Sequence, residues 1–245
     1  MCTCTVISGL TVWNGSCSFS AFEDGKSPWL PIPLLPSNMA VRILAFGDSL
    51  TEGWCSFGTK FHPYTCKLQS LLQSLSTSKS FNIVNKGVSG ETTDQMNARL
   101  PLVLDKDGPF DLAIILGGTN DLGFSFEKDG EPLFQRLRSL HEMALKHCSL
   151  SVAVTIPESG FDDRFVLLKE KRSRVNSLLQ NYVQDSGDKM LLSDLSAKLP
   201  HNSLSEEERR RFWDDHLHFS PAGYDRMAEI IFEDIKHYFM KVEQA

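Results

Sequence analysis

Five short apolar runs, each cut off at a glycine, proline or polar block, are the feature that most restricts how this chain can fold. They lie at 41–46 (VRILAF), 81–85 (FNIVN), 112–116 (LAIIL), 151–156 (SVAVTI) and 190–195 (MLLSDL). Runs this short and this apolar read as strands buried on both faces. Helical periodicity fills the gaps at 62–75, 133–146 and 164–183. A final pattern starts at Ser220-Pro221 and presents Tyr224, Met227, Ala228, Ile231, Ile235 and Tyr238 on one face. Strand and helix in alternation predict an α/β domain whose parallel sheet is covered on both sides. In such sheets, functional loops follow the carboxyl ends of strands.

The polar blocks fall at those ends. After the first run comes Gly47-Asp48-Ser49-Leu50-Thr51. Gly47 permits a sharp exit from the strand, and Ser49 sits where a helix begins, with its N–H free to donate to an oxyanion. A plain N-cap serine would also fit. Position 51 is Thr, so this is not a Gly-x-Ser-x-Gly elbow. After the second run comes Gly87-Val88-Ser89-Gly90-Glu91-Thr92-Thr93, where Gly90 can bring a bare N–H to a ligand, or simply form a turn into a helix capped by Thr92 or Thr93. After the third comes Gly117-Gly118-Thr119-Asn120-Asp121. Asn120 can offer its NH2 to developing negative charge, or Asn120 or Asp121 can cap the next helix.

The fourth block, Trp213-Asp214-Asp215-His216-Leu217-His218-Phe219-Ser220, precedes the last helix. Asp215 and His218 are three residues apart, so one turn can set the carboxylate on Nδ1 and leave Nε2 free to take a serine proton. A metal site at His216-x-His218 would need further ligands, and no matching cluster is present in the sequence. Cys55 has no base paired with it. His62, His141, His147, His201 and His237 lie away from the blocks and read as surface or half-buried residues.

Together the four blocks, in this order, resemble the SGNH (GDSL) hydrolase family over roughly residues 41–240. Ser49, Gly90, Asn120 and His218 match its four name-giving residues, and Asp215 matches its aspartate three positions before the histidine. The resemblance implies a three-layer flavodoxin-like sandwich with a five-stranded parallel sheet. It also implies a serine esterase with Ser49 as nucleophile, His218 as base and Asp215 orienting the base. The Ser49 N–H, Gly90 N–H and Asn120 side chain would form the oxyanion hole, with no metal or organic cofactor. Carboxylic esters are the expected substrates. Thioesters, lysophospholipids and acetylated sugars stay open, as does a non-catalytic ligand-binding module on the same fold. One departure is His216, where many members carry glycine, which is expected to sit beside the cleft while Asp214 points elsewhere. Aromatic residues after the blocks (Trp54, Phe57, Phe124, Phe126, Phe161, Phe165) would either line an apolar cleft or pack the loops.

Net charge is −6, so the chain lacks a basic nucleic-acid footprint, and Arg209–Arg211, preceded by Glu206–Glu208, reads as a solvated helix face. No apolar run approaches the ~18 residues of a spanning segment. Residues 1–38, with four prolines and neither a basic leader nor an unbroken apolar core, are expected to be an irregular extension, and 39–245 the hydrolase domain. Asn14-Gly15-Ser16 is a glycosylation sequon that matters only in a secreted chain. Six irregularly spaced cysteines favour free thiols and an intracellular setting, with a Cys55–Cys66 bridge conceivable only under oxidising conditions.

Overall fold

The computed structural model describes residues 40–75, 78–124 and 129–242. The extension at 1–38, its sequon and Phe126 lie outside the described residues. In chain order the elements are β1 (Val41–Gly47), α1 (Ser49–Glu52), β2 (Trp54–Cys55), β3 (Lys60–Phe61), α2 (Tyr64–Gln73), β4 (Phe81–Gly87), α3 (Thr93–Asp107), β5 (Leu112–Leu116), α4 (Thr119–Phe124), α5 (Glu131–Ala144), β6 (Leu150–Val154), α6 (Val166–Asp185), β7 (Met190–Ser193), α7 (Leu195–Lys198), α8 (Glu206–Phe212) and α9 (Pro221–Val242).

Five strands form one sheet in the order β4-β1-β5-β6-β7, every pair parallel. Side chains alternate along each strand, so both faces are apolar. Ile43, Ala45, Ile114 and Leu116 face one layer with Tyr64, Leu68 and Leu72 of α2 and Tyr224, Met227, Ile231 and Ile235 of α9. Leu44, Phe46, Ala113 and Ile115 face the other, with Met96 and Leu100 of α3, Leu133, Leu137 and Leu140 of α5, and Val175 of α6. This is the expected three-layer α/β sandwich. Counted among the sheet strands alone, the order is 2-1-3-4-5, and its switch point lies between β1 and β5.

The expected elements are present with shifted ends, each for a local reason. The run at 151–156 stops as a strand at Val154, and the Ile156 N–H turns to Asn176 Oδ1 at 2.9 Å. The last run ends at Ser193 because Asp194 caps α7. On α9, Tyr238 is only half-buried; Phe239, one helical turn after Ile235, takes the core position and meets Phe81 edge-on at 5.2 Å. His141 is not a surface residue. It is 1% exposed, its Nδ1 is 2.8 Å from Ser151 Oγ, and burial pushes its pKa down to about 3. Of the Arg209–Arg211 run on α8, Arg210 pairs with Glu206, whereas Arg209 donates to the His201 carbonyl at 3.0 Å. Among the described residues no helix is long and apolar enough to cross a membrane.

Candidate active site

Strand register brings the first three blocks to one level. Gly47 at the end of β1 is opposite Gly87 of β4 and Leu116 of β5, so the loops that follow leave the sheet side by side at its switch point. Only glycine fits at 47: a Cβ there would lie 2.2 Å from the Leu116 carbonyl oxygen and 2.3 Å from Thr51 Oγ1. Asp48 then caps α1, its Oδ1 accepting the Leu50 N–H at 3.0 Å. Its carboxyl is fully buried, and that burial, opposed in part by the Leu50 N–H and by His218, pushes its pKa up to about 7. Ser49 is the first residue of α1, so its N–H has no acceptor within the helix.

His218 reaches Ser49 from the opposite end of the chain. Its Nε2 is 3.1 Å from Ser49 Oγ, and its Nδ1 is 3.0 Å from Asp215 Oδ2. A carboxylate can only accept, so Nδ1 carries the proton and Nε2 is the acceptor for the serine hydroxyl. Asp215 Oδ1 also accepts the backbone N–H groups of Leu217 (2.6 Å) and His218 (2.7 Å). Partial burial raises the Asp215 pKa, but the His218 side chain and these two N–H donors outweigh it and hold the carboxyl at about 2. The loop is closed at its base by a Trp213–Phe219 bridge, and Ser220 accepts the Gly223 N–H at the start of α9.

The loops after β4 and β5 are tied to each other. Asn120 Nδ2 donates to the Glu91 carbonyl at 2.9 Å, leaving the second N–H of that amide for another acceptor. Gly90 has φ +78°, a left-handed value natural to glycine, and no heavy atom within 4 Å of where a Cβ would stand. Asp121, one of two candidate caps for the helix that follows it, instead accepts the Thr93 N–H at 2.9 Å and the Thr93 hydroxyl at the start of α3. The cap residue of α3 is Thr92, whose N–H donates to Gln95 Oε1. Glu91 is held by Arg99, which also donates to the Gly47 carbonyl at 3.3 Å and lies over the Phe46 ring at 4.2 Å. Nothing in the sequence blocks marks Arg99; its role exists only once α3 packs beside β1.

A family model, the GDSL-like Lipase/Acylhydrolase family, matches residues 45–226. The chain belongs to this family. It is therefore an ester-hydrolysing enzyme of the GDSL type. A search of the curated proteins returns no match. Among solved structures, the chain is similar to an acetylxylan esterase from Geobacillus stearothermophilus, at 21% identity and TM-score 0.65 over 82% of this chain and 96% of that one. It is similar to a carbohydrate acetylesterase from Sinorhizobium meliloti (20%, TM-score 0.61, 81% and 99%) and to a lipolytic G-D-S-L family member from Veillonella parvula (19%, TM-score 0.62, 80% and 99%). At these identities the likeness speaks to the fold.

Around these residues of the GDSL enzyme lie a hairpin and further side chains. Trp54 on β2 covers His218, and the Tyr224 hydroxyl donates to the Trp54 carbonyl at 2.8 Å. The hairpin of β2 and β3 carries two consecutive non-glycine residues at positive φ, Ser56 and Phe57, with Phe57 80% exposed. Asp214 turns to this hairpin and accepts the Ser56 N–H at 2.6 Å. His216 leaves His218 and packs against Gly160 and Phe161 of the loop after β6. His201 is 4% exposed and packs edge-on against Trp213, so it is buried beside the loop that carries Asp215 and His218 rather than on the surface. Cys55 and Cys66 are both free thiols, Cys55 buried in the core. Among the described residues no group of three or more His, Cys, Asp and Glu is placed to hold a metal ion.

Proposed function

We propose that this GDSL hydrolase cleaves carboxylic esters with Ser49 as nucleophile, His218 as general base and Asp215 as the group that orients the imidazole. The observation that carries the reading is the hydrogen-bonded sequence Ser49 Oγ to His218 Nε2 at 3.1 Å and His218 Nδ1 to Asp215 Oδ2 at 3.0 Å. Ser49 Oγ attacks the acyl carbonyl while its proton passes to Nε2. The low pKa of Asp215, about 2, keeps a negative charge beside the imidazolium that results. The Ser49 N–H, the Gly90 N–H and the free N–H of Asn120 receive the oxyanion, each such donor contributing about 10²–10³ in rate. His218 then protonates the leaving alcohol, and water releases the acyl group by the same steps in reverse order of partners.

Thioesters, lysophospholipids and acetylated sugars are cleaved by the same chemistry, and the names of the two acetylesterases above make acetylated sugars worth assaying beside simple esters. The hydrolase domain is taken to start at residue 39. The free thiols of Cys55 and Cys66 support an intracellular setting. The test is fluorophosphonate labelling, which reports an activated serine without knowledge of substrate. Wild type should be labelled at Ser49, and Ser49→Ala should lose both label and turnover while staying folded. Label that persists on another serine overturns the assignment.

A further inference from the structure

A cavity of about 220 Å³ opens between the loops that follow β5 and β6. Asn120 forms part of its lining, and so does Leu217, the residue before His218. Its remaining walls are chiefly apolar: Leu122 from α4, Ile156 and Pro157 from the loop after β6, and Leu168 from α6. Among the described residues the one cation on the wall, Arg172, is already neutralised. It donates through Nε to Asp162 Oδ2 at 2.9 Å and through Nη1 to Ser196 Oγ at 2.7 Å, and is only 4% exposed. A charged ligand group therefore finds no free counter-charge in Arg172, whereas hydrocarbon finds an apolar surface.

We propose that this cavity is the acyl-chain pocket of the enzyme and that it takes an unbranched, uncharged acyl chain of medium length. The proposal rests on the Ser49 reading above. A carbonyl whose oxygen lies on Asn120 has one of its two substituents at the cavity mouth. The acyl group stays bound to Ser49 through the second half of the reaction, so its burial persists. The alcohol must depart before water enters and belongs on the open side. At about 30 Å³ per water-sized group, the cavity holds about seven such groups, more than an acetyl needs. Filling it with methylenes should raise kcat/KM by about fourfold per carbon until it is full.

Gly123, on α4, lines the same cavity, and a Cβ placed on it meets no atom of the described residues within 4 Å. Gly123→Leu therefore introduces a side chain without a backbone clash. The experiment measures kcat/KM for nitrophenyl esters from acetate to dodecanoate, and for acetates of alcohols from ethanol to octanol. Wild type should rise with acyl length to an optimum near hexanoate or octanoate. Gly123→Leu should lower the octanoate-to-acetate ratio at least tenfold, and Leu168→Ala should move the optimum to longer acyl chains. The alcohol series should keep its profile in both. An acetate optimum in wild type, a shift in the alcohol series instead, or no shift in either overturns the pocket. Fluorophosphonate labelling of Ser49 in each variant separates the two readings: label with an unmoved profile defeats the pocket alone, whereas its absence in wild type defeats the nucleophile and the pocket together.

Discussion

The indole of Trp54 lies against the imidazole of His218, with ring centroids 4.0 Å apart and planes tilted by 41°. On the proposed reading His218 takes the serine proton and becomes a cation facing an aromatic ring, an attraction of about 0.5–2 kcal/mol. Trp54→Leu should therefore lower kcat on a short ester about three- to tenfold with a smaller change in KM, and Trp54→Phe should recover most of it. Equal damage in both would mean that Trp54 acts by shape alone. The two kcat values, with folding checked by circular dichroism, decide it.

Asp48 gives a pH dependence of stability. Its folded pKa of about 7 lies above the ordinary carboxylate value of 3.8. Between those limits the unfolded chain has lost this proton and the folded chain has kept it, so this group makes stability fall as pH rises from about 4 to 7, and contributes no further change above. Asn is nearly isosteric, permanently neutral, and keeps an oxygen for the Leu50 N–H. Asp48→Asn should gain thermal stability relative to wild type as pH is raised from 4.5 to 7.5, by about 2–4 °C for each kcal/mol recovered. Melting curves at both pH values test this; a constant difference in Tm would show that Asp48 is ionised throughout.

Four variants separate the roles in the base-bearing loop. His218→Ala should be nearly inactive. Asp215→Asn should lose about 10⁴ in kcat or less, through the wrong tautomer and an unstabilised imidazolium. His216→Gly should keep most of its kcat and change KM, because its ring contacts Phe161 at the cavity mouth, 5.6 Å between centroids, and not Ser49. Asp214→Asn should be the mildest, since an amide oxygen still accepts the Ser56 N–H. Steady-state kinetics on one ester suffices. A His216→Gly enzyme as inactive as His218→Ala would show that the base has been misassigned.

A chain starting at Met39 should retain activity and thermal stability, because the family match begins at residue 45 and β1 at Val41. A Tm lower by many degrees would show that residues before 39 pack on the hydrolase domain.

Much of this architecture was readable because its signals are local. A buried parallel strand must be apolar on both faces, so the run 112–116 coincides with β5. Asp215 and His218 share one turn, and their spacing alone suggests their pairing. Arg99 carries no such signal, and Trp54 is marked in the sequence only as an aromatic after the first block that would line a cleft or pack the loops. Trp54 reaches His218 across 164 residues of sequence. Arg99 matters because α3 sets it beside the Gly47 carbonyl. Ser56 and Phe57 adopt a backbone that residue type disfavours, in a hairpin whose Ser56 N–H is held by the distant Asp214. Asp121 is by sequence one of two candidate caps for its own helix, yet it accepts the Thr93 N–H of α3 because β4 and β5 flank β1 and bring the two loops together.

The hydrogen bond from Ser49 to His218 spans 169 residues, which has a consequence during biosynthesis. At roughly 5–20 residues per second, the ribosome makes Ser49 on the order of ten to thirty seconds before His218. Until the segment carrying Asp215 and His218 emerges and docks beside β1, Ser49 is an ordinary alcohol. On the proposed reading, hydrolytic activity therefore has to wait until this last segment is in place.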